Sequence, residues 1–242
     1  MNSTVVDQPV RQQLPGSWSL LSKCFELTKI HITNVIFLVL LPNLSTTLGT
    51  VYDKSHNLPA GHYSAVSLTL FGVGMLWFII NQAPTIMFAV RAAQGKSLSL
   101  ADCYRQGLPF IWRVLAMDLL FVGAILLGFL LLLIPGFIVL FLITRRYYLT
   151  GYYLVDQNLG LKAALARCRL ESVPYSGYVW GVIGVQIALT LVASIIGALN
   201  VYVGVLASVL VLALTSFLAA IRYQQIATPA DISLPAAAPV RR

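Results

Sequence analysis

The sequence predicts an all-α protein, a polytopic membrane bundle of six transmembrane helices with short interfacial helices between them. Three observations predict this class. Of the 242 residues, 58% are hydrophobic and only 10% are charged, which lies outside the balance of soluble globular domains. Apolar windows of about 20 residues, the length that crosses ~30 Å of hydrocarbon, recur along the chain. Lys and Arg residues cluster between these windows, as they do at membrane flanks.

Six windows are long enough to be spans. They cover residues 31–51, 65–90, 114–133, 136–155, 178–199 and 202–221. Residues 114–144 could instead form one tilted span, but these 31 residues would make a helix about 46 Å long. A hairpin that turns at Pro135-Gly136 fits better, because proline and glycine interrupt helices.

The two ends of the chain look different from the spans. Residues 1–14 lack the basic start, short apolar core and small-residue cleavage site of a secretory signal, so we expect this segment to be retained. We expect disorder at residues 1–14 and in the Ala- and Pro-rich tail 227–242. Residues 15–226 then form the membrane domain.

The distribution of Lys and Arg predicts the orientation, since cytoplasmic flanks carry the excess. With six spans, thirteen of the sixteen cations fall on one side, in the N-terminal segment, two linkers and the tail: Arg11, Lys23, Lys29, Arg91, Lys96, Arg105, Arg113, Lys162, Arg167, Arg169, Arg222, Arg241 and Arg242. Lys54 alone lies on the opposite side, and Arg145 and Arg146 fall inside a span. We therefore expect both termini to be cytoplasmic.

The segment that precedes each hairpin reads as a short amphipathic helix lying at the interface. In the middle one, Ser99 is spaced to cap a helix by accepting from the backbone N–H near Asp102. The three segments share the pattern Leu-x-x-Cys, at Leu21 and Cys24, Leu100 and Cys103, and Leu165 and Cys168. This pattern suggests three repeats, each an interfacial helix followed by a two-span hairpin. Amphipathic linkers and buried cysteines are also common in membrane proteins without repeats, so that alternative stays open.

Arginines inside the fourth span are the first candidates for a site, because charge is costly in hydrocarbon. Arg145 and Arg146 lie about 15 Å beyond Gly136 along a helix. Asp118 lies near the cytoplasmic end of the third span, which the hairpin brings beside the fourth. An arginine side chain could reach Asp118 or water there.

Uncharged polar residues extend this set. Asn81 and Gln82 stand beside Pro84 in the second span, and Gln186 lies in the fifth. With the arginines and Asp118 they predict a polar, net positive cavity open to the cytoplasm, suited to a lipid headgroup, a phosphate or an acidic segment. The alternative is structural, with the arginines snorkelling or pairing with Asp118 to hold the bundle together.

Catalytic and metal-binding patterns are missing from the sequence. His31, His56 and His62 do not share a helical face with carboxylates at metal-ligand spacing. We find no nucleotide-binding glycine loop, nucleophile elbow or paired membrane carboxylates. The sequence thus predicts a protein that is not an enzyme and has no cofactor or metal, and its basic residues do not form the stripe of a nucleic-acid-binding surface.

Residues 98–171 resemble a known family. SLSLADCYRQGLPFIWRVLAMDLL, then LLLIPGF, then LVDQNLGLKAALARCRLE are similar to the bacterial YciC-like membrane proteins and to the membrane domain that precedes some glycerophosphoryl diester phosphodiesterases. The elements that match are Ile134-Pro135-Gly136, Arg145 or Arg146, and the run from Gly160 to Cys168. The resemblance implies a bacterial inner membrane protein, and the chain has no room for the phosphodiesterase catalytic domain.

The function we expect follows from the charge distribution and from this resemblance. The leading hypothesis is a non-enzymatic membrane protein that engages anionic lipid or an acidic partner through a basic cytoplasmic side. A small-molecule or lipid transporter is the first alternative, which would need a cavity near the midplane and broken helices. A lipid-modifying enzyme is the second, and it would need acid and base groups that the sequence lacks.

Overall fold

The computed structural model describes residues 13–56, 63–131 and 133–227, and the regular structure within these ranges is helical throughout. The helices, numbered in chain order, are α1 (Leu21–Ile30), α2 (Ile32–Val35), α3 (Leu41–Ser55), α4 (Ala65–Ala93), α5 (Leu100–Gly107), α6 (Ile111–Leu131), α7 (Leu133–Tyr147), α8 (Thr150–Asp156), α9 (Leu161–Ser172), α10 (Ser176–Leu199) and α11 (Val201–Ala227). Single 3-10 turns precede α1, α6 and α10, and a π-helical segment joins α2 to α3.

Four helical segments of the described chain are long and apolar enough to cross a membrane. They are Ala65–Ala93, Leu100–Leu130, Leu161–Leu199 and Tyr202–Ala227. These segments contain α4, α6, α10 and α11. The chain therefore has the architecture of a multi-pass α-helical membrane protein, as the sequence predicts.

Consecutive helices pack as hairpins. α3 packs against α4, α6 against α7, and α10 against α11. Small residues lie where the partners cross: a Cβ on Gly49 would be 3.1 Å from Ser67 Oγ, and one on Gly128 would be 3.1 Å from Gly136 Cα. A Cβ on Gly197 would be 3.5 Å from Gly204 Cα. Close backbone approach is a common way for membrane helices to associate.

The turn of the α6–α7 hairpin differs from the prediction. α6 ends at Leu131 and α7 begins at Leu133, so Pro135 and Gly136 lie in the first turn of α7 and not in the loop. Proline is tolerated there because the N–H groups of the first turn have no intrahelical acceptor.

Two of the predicted spans are irregular. The first consists of α2, a π-helical segment Ile36–Leu40 and α3; Pro42 has no backbone N–H to offer the carbonyl four residues earlier, at Leu38. The fourth, predicted as one helix over 136–155, is divided by a turn at Tyr148 and Leu149 into α7 and α8.

Three elements form the centre of the bundle. α4 contacts both α11 and α8. Their facing side chains include Phe88, Tyr153, Phe217 and Leu218, each no more than 3% exposed. The centre is thus built from the second half of each hairpin, with α6 and α10 on its outside.

Each short amphipathic helix buries its cysteine. Cys24, Cys103 and Cys168 are all 0% exposed, and burial raises the pKa of the Cys24 thiol to about 12. α5 packs against α4, α9 against α7 and α8, and α1 against α11. Each of these helices therefore packs on the second half of a hairpin, and α1 connects the start of the chain to its last helix.

The predicted cap of α5 is confirmed. Ser99 Oγ accepts from the backbone N–H of Asp102 at 3.2 Å. At the opposite end of the bundle Ser64 caps α4, and its hydroxyl also donates to Asp53 at 2.6 Å. This bond joins α3 to α4.

The termini expected to be disordered lie outside the described residues, except at their inner edges. Leu14 packs against the core, and Ala227 is the last residue of α11. His62 and its neighbours at 57–62 are also outside the described ranges.

Candidate functional site

A cavity of about 230 Å³ lies between α4, α6, α8, α11 and the π-helical segment. Its lining residues combine polar, aromatic and aliphatic side chains: Leu38, Phe78, Asn81, Gln82, Thr85, Ile86, Met117, Tyr148, Gly151, Tyr152, Leu212 and Ser216. None of these side chains carries a formal charge. Most of them come from the middle of the long helices, so the cavity lies inside the bundle and away from its ends.

The irregular parts of two spans meet at this cavity, beside the proline of a third. Leu38 belongs to the π-helical segment, Gln82 and Thr85 flank Pro84 within α4, and Tyr148 lies in the turn between α7 and α8. Helix irregularities in membrane proteins are tolerated where they face protein or a cavity. Their convergence here marks the cavity as the candidate site.

Two of the residues predicted from the sequence line the cavity directly. Asn81 and Gln82 are both lining residues on α4. Asn81 is 2% exposed; its amide donates to the carbonyl of Trp77 at 2.7 Å, and its side-chain oxygen accepts from the Tyr104 hydroxyl. These bonds fix its orientation and connect the cavity to α5.

Two more predicted residues stand next to the lining. Asp118 on α6 lies beside the side chain of Gln82, and the Tyr148 hydroxyl donates to Gln186 Oε1 at 2.8 Å. Asp118 and Gln186 therefore stand directly behind the cavity wall on α6 and α10. The structure brings these four residues together from three different spans.

The arginines are placed differently. Arg145 is exposed and Arg146 half-buried at the end of α7, and neither is among the lining residues. Within the part of the chain that the structure describes, no Lys or Arg nitrogen lies within 4.0 Å of the Asp118 carboxylate. The main chain of Arg146 has a packing role, since its carbonyl accepts from the Cys168 thiol at 3.3 Å.

A polar network that sequence reasoning missed joins the central helices at the end that carries α1, α5 and α9. The Tyr223 hydroxyl donates to Asp156 Oδ2 at 2.8 Å and accepts from Gln157 at 3.2 Å. Arg91 lies 4.0 Å from Asp156, and Gln224 donates to the carbonyl of Val90 at 2.9 Å. These contacts tie α4, α8 and α11 together.

The same end holds a fully buried arginine. Arg222 is 0% exposed and donates to the carbonyl of Pro15 at 2.9 Å, to Ser17 Oγ at 3.2 Å and to Gln225 at 3.0 Å. Its guanidinium also lies 5.2 Å from the centre of the Tyr178 ring. Arg222 thereby attaches the segment before α1 to α10 and α11, although by sequence it resembles an exposed membrane flank.

One sequence signal could have found part of this network. Arg91 bonds Gln94 at 3.1 Å and Arg222 bonds Gln225 at 3.0 Å, so the pattern Arg-x-x-Gln ends both α4 and α11.

Among residues 13–56, 63–131 and 133–227, no group of three or more His, Cys, Asp or Glu side chains could hold a metal ion. No family model, curated protein or solved structure matches the chain.

Proposed function

We propose that the chain is a six-span membrane protein of three helical hairpins that binds anionic lipid through the basic end bearing α1, α5 and α9. The observation that carries this proposal is the composition of that end, where exposed cations and exposed apolar side chains are close neighbours along the chain. The ligand would be the headgroup layer of the membrane itself, and the function non-enzymatic.

Helix length supports six spans. The first predicted span covers residues 32–55 when α2, the π-helical segment and α3 are taken together, and the fourth covers 133–156 as α7 and α8. Each would be about 36 Å long if straight, enough to cross the ~30 Å of hydrocarbon. Each also pairs in a hairpin with a helix that is long enough to span alone.

Exposed apolar residues on or next to the short helices α1, α5 and α9 support membrane contact. Trp18 is 63% exposed before α1, Trp112 77% at the start of α6, and Leu170 75% on α9. Exposed cations lie near them along the chain at this end: Lys29, Lys96, Arg105, Arg113, Lys162, Arg167 and Arg169. A segment with this combination lies in the interface, its apolar side chains at the acyl boundary and its cations near headgroups.

Charge asymmetry supports a cytoplasmic location for this end. Among the described residues Lys54 is the one cation at the loop end of the hairpins, and cytoplasmic flanks carry the excess of Lys and Arg. Each exposed cation near an anionic leaflet contributes on the order of 1 kcal/mol of attraction. The proposed orientation puts both termini in the cytoplasm of a bacterial inner membrane.

A threefold internal repeat is part of the proposal. The three buried cysteines are each followed four residues later by a small buried residue, Thr28, Gly107 and Ser172. A small residue at that position lets each amphipathic helix approach the hairpin beneath it; at Gly107 a Cβ would be 2.6 Å from Pro84 Cα. We also propose, from the matching elements of the sequence, that the chain is related to the YciC-like membrane proteins.

Quenching of tryptophan fluorescence by brominated lipids tests lipid binding. In a background with Trp77→Phe and Trp180→Phe, Trp18 and Trp112 report from the basic end. In mixed bilayers of low ionic strength, we expect dibrominated phosphatidylglycerol to quench more strongly than dibrominated phosphatidylcholine at the same mole fraction. Salt should reduce this preference, because the Debye length falls to ~3 Å at 1 M.

Two single substitutions separate local binding from general charge. Arg105→Gln removes an exposed cation at the basic end and should weaken the preference about fivefold. The matched control is Lys54→Gln at the other end, which should leave the preference unchanged. Equal quenching by the two lipids in the parent protein would refute the proposal.

A transporter is the second candidate, and one observation favours it. The cavity lies in the middle of the bundle where two spans are irregular and a third contains a proline, and transporters place substrate sites at broken helices near the midplane. Transport requires that the cavity open to both sides of the membrane. A Ser216→Cys variant should therefore react with a membrane-impermeant maleimide from either side of sealed vesicles, whereas labelling from one side alone would contradict transport.

A further inference from the structure

Three of the four hydroxyl groups that line the cavity have their protons engaged within the protein, and the fourth, that of Thr85, has no hydrogen-bond partner among the described residues. Tyr148 donates to Gln186 at 2.8 Å, Tyr152 to the carbonyl of Ser216 at 3.2 Å, and Ser216 to the carbonyl of Leu212 at 2.7 Å. A hydroxyl has one proton and two lone pairs. These three lining residues can therefore offer a ligand acceptors but no further protons.

Gln82 acts in the same direction. A bound cation would favour the ionised form of Asp118, and since an ionised carboxylate can only accept hydrogen bonds, Gln82 beside it would then turn its NH2 group toward Asp118. Its carbonyl oxygen is then a fourth acceptor among the lining residues. The bond to a carboxylate also polarises the amide and makes that oxygen more negative.

The electrostatic surroundings favour a cation. No lining residue is charged, and Asp118, which lies beside the lining residue Gln82, has no Lys or Arg within 4.0 Å among the described residues. Unpaired charge at membrane depth is costly and is normally compensated by a partner. A positively charged ligand in the cavity would supply that partner.

Aromatic and aliphatic side chains complete the description of the ligand. Phe78, Tyr148 and Tyr152 present rings to the cavity, and aromatic faces attract organic cations. Leu38, Ile86 and Leu212 offer apolar surface beside them. The volume of about 230 Å³ is below the ~300–1,000 Å³ of pockets for drug-sized ligands, so the ligand is small.

We propose that this cavity binds a small organic ammonium, a molecule with a protonated amine at one end and a compact apolar or aromatic group at the other. The ammonium would donate its three protons to oxygens among those of Gln82, Tyr148, Tyr152 and Ser216, with the Asp118 carboxylate balancing its charge. An anion would find acceptors at the three tyrosine and serine hydroxyls, where it needs donors, and it would face Asp118. The inference does not depend on lipid binding at the basic end, nor on whether the ligand is transported.

Three probes of nearly equal shape and different charge test the proposal. The purified full chain in phosphatidylcholine nanodiscs is equilibrated with tritiated 2-phenylethylamine at pH 7, in competition with 2-phenylethanol or phenylacetate. We expect the amine to bind saturably and at least tenfold more tightly than the alcohol, because hydrogen bonds to a charged group are the stronger ones. Phenylacetate should not compete.

Substitutions then locate the site. Asp118→Asn keeps the size of the side chain and should weaken amine binding about tenfold or more, and Tyr148→Phe should weaken it by a smaller factor. Glu26→Gln, on the exposed side of α1, is the matched control and should have no effect. Thermal unfolding of each variant separates loss of binding from loss of fold; if Asp118→Asn does not fold, Tyr148→Phe and Ser216→Ala carry the test.

Two results would overturn the proposal. The alcohol or the acid might bind as tightly as the amine, which would leave the cavity without cation selectivity. Alternatively, amine binding could persist unchanged in folded Asp118→Asn and Tyr148→Phe proteins, which would place any binding elsewhere. Neither result would bear on the lipid-quenching experiment, since that experiment reports on Trp18 and Trp112 at the basic end.

Discussion

The inner and outer helices of the bundle are similarly apolar but differ greatly in burial. In Tyr202–Ala227, which contains α11, 56% of the most apolar stretch is buried, and in Ala65–Ala93, which is α4, the share is 44%. In Leu100–Leu130 and Leu161–Leu199, which contain α6 and α10, it is 11% and 22%. Lipid tails are as apolar as leucine, so hydropathy identifies a span without saying whether it faces lipid or protein.

Polar contacts make the difference between the two sets of helices. At the end of the bundle that carries α1, α5 and α9, the helices α4, α8 and α11 hold the Asp156–Tyr223 network and buried Arg222. The outer surfaces of α6 and α10 carry exposed leucines and isoleucines, such as Leu130 at 83% and Ile195 at 65%. Membrane helices associate through packing and hydrogen bonds, because burial of apolar surface gives little advantage over lipid. Substitutions of one residue type on the two surfaces should therefore have different effects.

The largest contrast is expected between two arginines. Arg222→Ala removes charged hydrogen bonds to Pro15 and Ser17 and the contact with Tyr178, and it should lower the free energy of unfolding by about 3 kcal/mol. Arg169→Ala, at an exposed position of α9, should change it by no more than about 0.5 kcal/mol. Reversible unfolding in mixed micelles measures both. Equal decreases in the free energy of unfolding would show that buried Arg222 contributes no more to stability than exposed Arg169.

A smaller contrast is expected between two glycines. A Cβ at Gly204 would overlap the backbone of Gly197 across the α10–α11 crossing, so Gly204→Ala should cost about 1–3 kcal/mol. A Cβ at Gly184 meets nothing within 4 Å, so Gly184→Ala should be neutral, or stabilising by up to about 1 kcal/mol through helix propensity. Thermal unfolding of the two variants in one detergent makes the comparison. A neutral Gly204→Ala would contradict the close crossing.

The smallest contrast is expected between two tyrosines. Tyr223→Phe removes the hydrogen bonds with Asp156 and Gln157 and should cost about 1–2 kcal/mol. Tyr202 is 65% exposed on the same helix, so Tyr202→Phe should stay within about 0.5 kcal/mol. Chemical unfolding curves for the pair measure the value of the network. If both substitutions are silent, packing alone distinguishes the inner helices.

Local features of the fold followed from the sequence where one interaction determines them. The Ser99 cap of α5 depends on spacing within four residues, and the apolar windows depend on length. The turn between α6 and α7 was misplaced because Pro135 also suits the first turn of a helix. The break at Tyr148 and Leu149 was missed because neither residue is a helix breaker.

The candidate site was only partly predictable for a related reason. Asn81, Gln82, Asp118 and Gln186 were recognisable because polar groups inside a span are costly. The hydroxyl-bearing lining residues Tyr148, Tyr152 and Ser216 look in the sequence like ordinary span residues. Arg145 and Arg146 follow the same cost argument, yet they lie outside the cavity, because depth along a helix does not specify which face a residue occupies.

The sequence by itself determined that this chain is helical and membrane-embedded, and it located the candidate spans and the basic segments. These properties follow from hydrophobicity, length and charge, which can be summed along the chain. The tertiary structure alone decided which helices are central, that Arg222 is buried while Arg145 is exposed, and that the Tyr148, Tyr152 and Ser216 hydroxyls have their protons engaged around one cavity. Those outcomes depend on which faces meet, and residues more than a hundred positions apart, such as Val90 and Gln224, determine them together.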